Sequence, residues 1–145
     1  MIVGVGKERY IIPIGNIIET LRPVDDEIRK IADANDTINL RGEFLSVLYL
    51  HKLFSVNDAI TDATKALVVI VESGTEKFGL VVDELIGQQQ VVIKSLEENS
   101  DAVQGISAAT ILGDGHVALI IDILGIVELN NIIYEEKKNE VLETI

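Results

Sequence analysis

Two histidines, a few acids and one glycine–lysine string are the residues of this chain whose types could do chemistry. His51 and His116 could ligate a metal or act as a general base. A metal site would need both histidines plus well-placed carboxylates, because the 145 residues include no cysteine. His51 ends an apolar run and His116 begins one, so they fall at corresponding ends of separate strands and share no obvious site. Asp83-Glu84 follows an apolar run and Asp122 closes another. Carboxylate pairs with split pKa values can divide acid work from base work. Adjacent residues of an extended strand point to opposite faces, however. Acids in such places more often cap a following helical turn, here Glu84-Leu85-Ile86 and Ile123-Leu124-Gly125. Asp114, between two glycines, is turn chemistry. Gly4-Val5-Gly6-Lys7 matches the end of a phosphate-binding loop, yet Glu8 stands where the magnesium-binding Ser/Thr belongs, and a strand follows. A β-turn before the first strand is the better reading. No Ser–His–Asp arrangement is visible, and no catalytic residue, cofactor site or metal site is expected.

The elements that would carry these residues form a repeat. One copy runs Tyr10-Ile11-Ile12-Pro13-Ile14, then Ile17-Ile18-Glu19, then Arg41-Gly42-Glu43 leading into Phe44 through Leu50. The other runs Phe78-Gly79-Leu80-Val81-Val82, then Leu85-Ile86-Gly87, then Gly113-Asp114-Gly115 leading into His116 through Ile121. The aromatic starts lie 68 residues apart, and Leu45 and Val117 lie 72 apart. Each copy reads as strand, short turn, strand, loop, tight turn, strand. Repeats this long indicate a duplicated β-barrel rather than a solenoid. The expected division is a first barrel over 1–65, a second over 66–130, and a helical tail over 131–145. A unit of about 60 residues is marginal alone, so the two copies should share an interface and fold together.

Ala66 to Val71 is a continuous apolar run of strand length, as expected for a strand buried on both faces. Ser73 to Lys77 is a polar turn that joins it to Phe78–Val82 as a hairpin. Gly42 and the Gly113-Asp114-Gly115 string supply tight turns. Val24 to Asn35 is charged and reads as a short helix or a turn. Val56 to Lys65 reads as the connector between copies. From Ile126 onward the apolar spacing changes to a helical period. Gln88-Gln89-Gln90 fits two readings, a solvated barrel edge or an adaptable hydrogen-bonding surface.

Apolar residues make up 48% of the chain while the formal net charge is −12, so charge keeps many aliphatic side chains in solution. Those aliphatics either fill a small double core or face a partner. Acidic residues outnumber basic ones 24 to 12 with no basic cluster, which argues against nucleic acid and against a grip on an anionic membrane. The longest apolar run is far too short to span a bilayer, and no export signal is visible at the N-terminus.

Phe78 through Leu96, with Gly87-Gln88-Gln89-Gln90-Val91-Val92-Ile93-Lys94 at its centre, resembles the CheW-like domain. So does Gly105 through Asp122, with Thr110-Ile111-Leu112-Gly113-Asp114-Gly115. Both strings, with Glu8 through Pro13 and Asn39 through Glu43, resemble more narrowly the C-terminal regulatory domain of CheA-type chemotaxis histidine kinases. The resemblance covers about residues 6 to 130. It implies an all-β fold of two packed SH3-like five-stranded barrels, here with a C-terminal helix. It also implies a non-catalytic scaffold that docks the kinase onto a CheW-type adaptor and the cytoplasmic tips of chemoreceptors, and that passes receptor state to the kinase's own catalytic domain. The expected location is cytoplasmic, at membrane-associated receptor clusters.

The expected partner-binding residues are Arg41, Gly42 and Glu43, with Ile14, Ile17 and Leu45 as aliphatics on the barrel rims. The chain holds no phosphoacceptor, dimerisation or ATP-binding domain, so it is not expected to phosphorylate anything alone. Both an excised kinase domain and a natural single-domain protein fit a start at Met1. A free-standing adaptor is the alternative function, and a small ligand-binding or enzymatic barrel a remote one. The tail from Ile132 to Ile145 has no placed counterpart, and a kinase-specific extension that helps dock another chain is one reading of it.

Overall fold

The hairpins come first, because glycine turns fix them. β1 (Ile2–Val5) and β2 (Glu8–Ile11) are joined through Gly6, at φ 59°, and Lys7. β7 (Leu67–Ser73) and β8 (Glu76–Val82) are joined through Gly74, at φ 61°, and Thr75. Glycine is the residue that enters this left-handed region at no steric cost, and it does so at the same place in each copy. The rest of the first copy is β3 (Ile17–Leu21), β4 (Ile28–Arg29), β5 (Asp36–Leu40), β6 (Glu43–Tyr49) and the short helix α1 (Leu50–Leu53). The second supplies β9 (Glu84–Gly87), β10 (Lys94–Ser95), β11 (Ile106–Ile111), β12 (Val117–Ile121) and α2 (Ile123–Glu143). The structure, a computed structural model, describes residues 1–24, 27–30, 35–61, 63–88, 94–95 and 104–143.

Among the described residues the strands form two six-stranded sheets. One has the order β10-β11-β12-β2-β1-β9, the other β3-β7-β8-β6-β5-β4. Adding six to each strand number of the second order, modulo twelve, gives the first order reversed. The duplication is therefore complete at the level of topology. It extends to detail: β2 pairs parallel with β12 as β8 does with β6, and the ladders β3–β7 and β1–β9 each carry a register shift.

The sheets do not divide the chain at residue 65. Each copy gives its first hairpin to the sheet of the other, so the expected barrels over 1–65 and 66–130 are replaced by interleaved ones. Both hairpins are buried on their two faces. Along β7, Val68 and Ile70 point into one apolar cluster with Ile38, Leu45, Val47 and Val81. Leu67, Val69 and Val71 point into another, with Val3, Val5, Tyr10, Leu80, Ile121 and Ile126. In β1 and β2 the alternation repeats: Val3, Val5 and Tyr10 join that central cluster, while Ile2 and Ile11 join Ala108, Leu112, Ala118 and Ile120. A strand apolar on both faces is stable only with a core on each side. Exchange of hairpins supplies that: each sheet has its own interior, and a third apolar layer lies between them.

Three further expectations change. Glu84-Leu85-Ile86 is not a helical turn but lies in β9, because β1 takes it as an edge partner with Gly4 opposite Glu84. Within Val24–Asn35 the Glu27 N–H donates to Val24 O at 2.9 Å, as the expected turn requires, and β4, paired with β5, is added to it; residues 25–26 and 31–34 lie outside the described residues. The short strands β4 and β10 bring each sheet to six strands rather than five. Helix α2 begins at Ile123, directly after Asp122, and buries Ile123 and Ile126 in the central layer. Gly125 lets it approach closely: a Cβ there would lie 3.0 Å from the Gly105 Cα. Gln89 and Gln90 of the glutamine string, and residues 91–93 after it, lie outside the described residues.

Candidate interaction surface

The turn between β5 and β6 is held by its own side chains. Arg41 and Gly42 both adopt positive φ, 50° and 87°, and the Gly42 N–H donates to Asn39 Oδ1 at 3.0 Å. Arginine in this region is strained by about 1–2 kcal/mol, and its side chain is engaged. Arg41 Nη1 and Nη2 donate to the two carboxylate oxygens of Glu19 at 3.2 and 2.8 Å. Glu19 lies in β3, at the far end of the strand order from β5. This fork therefore ties together strands that are not ladder neighbours, as a sheet curled on itself requires. The Arg41 bond holds the Glu19 carboxyl below its usual range, and Glu19 raises Arg41 in return.

Arg41 also lines a depression of about 200 Å³ with Ile18, Leu40, Glu43, Leu45, Ile70 and Lys77. Apolar side chains stand exposed on the same unit: Phe44 is 60% and Ile14 56% accessible, and Ile18 is also exposed. The Arg29 guanidinium sits 5.8 Å from the centre of the Phe44 ring, a cation–π distance. At the corresponding turn of the other sheet, Ile111 and Val117 form a cross-strand pair 70% and 57% accessible. Asp114 caps that turn, accepting the His116 N–H at 3.0 Å and facing its Nδ1 at 3.1 Å. Leu85 and Ile86 on β9 are exposed as well.

The structure places the expected binding residues unequally. Arg41, Gly42 and Glu43 form one exposed turn. Ile14 is exposed in the helical turn between β2 and β3. Ile17, next to it, is half-buried against the central apolar layer. Leu45 is not a rim residue: at 5% accessible it belongs to the interior of its sheet with Ile38 and Val47. Strand alternation explains the error, since Leu45 and Val47 inward put Phe44 outward. Phe44, absent from the expected set, was findable from that phase alone.

The residues singled out for chemistry are committed elsewhere. Asp83 accepts the Gly6 N–H on one oxygen at 2.7 Å and the Ile60 N–H on the other at 2.9 Å. Asp122 stands at the N-terminus of α2. His51 in α1 is half-buried against Tyr49, and burial, then Lys52, lowers its pKa against the pull of Asp83. Tyr49 donates to Asp36 Oδ2 at 2.6 Å. Gly6-Lys7 is the β1–β2 turn itself, with no helix after it. Among the described residues no three His, Asp or Glu stand together as a metal site, and no helix is long and apolar enough to cross a membrane.

Comparison with known proteins fits this geometry. The CheW-like domain profile matches residues 1–130. The chain belongs to the CheW-like domain family. Over 130 residues it is 45% identical to the chemotaxis protein CheA of Salmonella typhimurium, covering 90% of this chain and 19% of that protein. It is 40% identical over 123 residues to the sensor histidine kinase CheAY of Helicobacter pylori, covering 85% and 15%. The chain thus spans about a fifth or less of the length of these relatives. Among solved structures, the scaffolding protein TtCheW of Thermoanaerobacter tengcongensis superposes with a TM-score of 0.68 at 24% identity, over 83% of this chain and 86% of that one. At that identity the likeness speaks for a shared CheW-like fold. Helix α2 of this CheW-like domain continues past residue 130, beyond the matched region.

Proposed function

We propose that this CheW-like domain is the non-catalytic scaffold and regulatory module of a chemotaxis histidine kinase. It couples the kinase to a CheW-type adaptor and to chemoreceptor tips, in the cytoplasm at membrane-associated receptor clusters. One observation carries the reading: the 45% identity to CheA runs over nearly the whole domain. The exposed apolar residues Phe44 and Ile14 and the cross-strand pair Ile111–Val117 support it, because they offer apolar area that a partner can bury. The higher identity to kinases than to the free-standing scaffold protein favours the kinase module over the adaptor.

The adaptor-binding patch is the β5–β6 turn, Arg41, Gly42 and Glu43, together with Phe44 beside it and Ile14 and Ile17 on the neighbouring crossover. Leu45 supports the patch from inside. A standard interface takes about 800 Å² from each partner, and a few apolar or Arg anchors dominate its energy. Through this contact, receptor state would shift how the domain sits against the kinase's catalytic domain.

The test is competition. Excess isolated domain added to a reconstituted receptor–adaptor–kinase assembly should sequester adaptor and lower receptor-controlled phosphorylation. Phe44→Glu and Arg41→Glu variants should compete poorly. Full competition by both variants would remove this turn from the interface, and no competition by the parent domain would reject the coupling role.

A further inference from the structure

The topology holds a second consequence, independent of the scaffold reading. Hairpin β1–β2 lies between β12 and β9 of the other copy, and hairpin β7–β8 lies between β3 and β6. Four ladders, β2–β12, β1–β9, β3–β7 and β6–β8, therefore join residues 1–55 to residues 66–143. The central apolar layer draws on both parts: Val3, Val5, Tyr10, Leu48 and Leu50 from one, Leu67, Val69, Leu80, Ile121 and Ile126 from the other. Covalently, they meet only through the connector from Val56 to Lys65. Asn57, Asp58, Ile60, Thr61 and Lys65 in it are exposed. Among its described residues the connector is tied by the Ile60 N–H to Asp83, by the Val56 N–H to His51 O, by Val56 and Ala59 packed against the central layer, and by buried Ala63.

Every ladder and apolar contact between the two parts is made without the connector's help. A second copy of the chain offers the same surfaces in the same register. We propose that this inner surface is a self-complementary docking surface, and that a second copy of the chain occupies it by exchange. In the resulting closed dimer, residues 1–55 of each copy complete the sheets of residues 66–143 of the other. The connector alone decides between monomer and dimer. A short tether gives its ends an effective concentration of about millimolar order, so the monomer prevails well below that and the dimer near it. Exchange of this kind costs little, because no contact is new.

The experiment uses the full chain with a protease site inserted between exposed Asn57 and Asp58, as an equal mixture of ¹⁵N-labelled and unlabelled copies. It is unfolded, then refolded at about 1 µM and at about 1 mM. At the lower concentration the product should be monomeric, at the parent chain's 15.9 kDa plus the inserted site. At the higher one a large fraction should be a dimer that persists on native dilution. Cutting the connector should convert that dimer into monomer-sized bodies, half of them pairing a labelled fragment with an unlabelled one. A control chain with the site inserted between Gly74 and Thr75 should stay dimeric when cut, because its connectors remain. Refolding at about 1 mM to monomer alone would overturn the proposal. So would a connector-cut dimer that keeps double size, or a cut monomer that falls into separate fragments.

Discussion

Asp83 lies where the chain leaves β8 in one sheet and enters β9 in the other. Its N–H donates to Gly4 O at 2.8 Å, and its carboxylate takes the Gly6 and Ile60 N–H groups at 2.7 and 2.9 Å. One side chain thus clips the first hairpin and the connector to the crossover between sheets. Bonds to a charged acceptor contribute about 1.5–3 kcal/mol each. Ile60 is exposed, so water replaces much of that bond when Asp83 is removed; Gly6 is half-buried and loses more. Asp83→Ala should therefore cost about 2–3 kcal/mol, and Asp83→Asn, which keeps one acceptor oxygen, about 1–2 kcal/mol. A chain of this size loses roughly 4 °C of Tm per kcal/mol. The losses are then about 8–12 °C and about 4–8 °C. Urea unfolding at unchanged m-value gives the free energy, and amide exchange should quicken first at Gly6 and Ile60. Stability of Asp83→Ala within about 0.5 kcal/mol of the parent, the ordinary surface range, would refute the clip.

Three other perturbations separate surface from core. Leu45→Ala should lose about 2–5 kcal/mol of stability, whereas Phe44→Ala should stay within about 1 kcal/mol and weaken adaptor binding about 30-fold or more; calorimetry on both variants decides, and equal stability losses would contradict the assignment. Gly42→Ala, with open space around it, should cost only the left-handed backbone penalty of about 1 kcal/mol, while Gly6→Ala must also displace the Asp58 carboxylate and should cost clearly more in a denaturant titration. His51 has a lowered pKa in the folded state, so the unfolded chain binds its proton first. Stability should then fall as pH drops from about 7 through the ordinary histidine value near 6.5, and His51→Gln should flatten that part of the profile. An unchanged slope in the variant would assign it to other groups.

Much of the fold was legible because duplication writes itself twice. Tyr10 and Phe78, 68 residues apart, mark equivalent places that no single copy would reveal, whereas β1 was not read as a strand, because the turn at Gly6 was expected to precede the first one. The exchange of hairpins was not legible. Val68 and Ile70 alternate with Val69 and Val71 in the same way whichever copy supplies the neighbouring strand, so periodicity cannot say which sheet a hairpin enters. β9 was read two ways, as the strand Leu85-Ile86-Gly87 and as a helical turn from Glu84, because Glu84, Leu85 and Ile86 are all exposed and show no alternation, and the pairing that makes them a strand comes from β1, some eighty residues away. The interaction surface was half legible. Arg41-Gly42-Glu43 stood out as a turn, but the bidentate grip on Glu19 is tertiary. The choice between Phe44 and Leu45 turned on one residue of strand phase.

The central claim is that this domain is a docking module whose patch surrounds the β5–β6 turn. Titrating the ¹⁵N-labelled domain with a cognate CheW-type adaptor tests it most directly. The account predicts saturable one-to-one binding, with shifts centred on Arg41, Gly42, Glu43, Phe44 and Ile14 and little change in the central layer around Val69 and Ile126. A folded domain whose spectrum stays unmoved at saturating adaptor, or whose shifts gather on α2 and spare that turn, would contradict it.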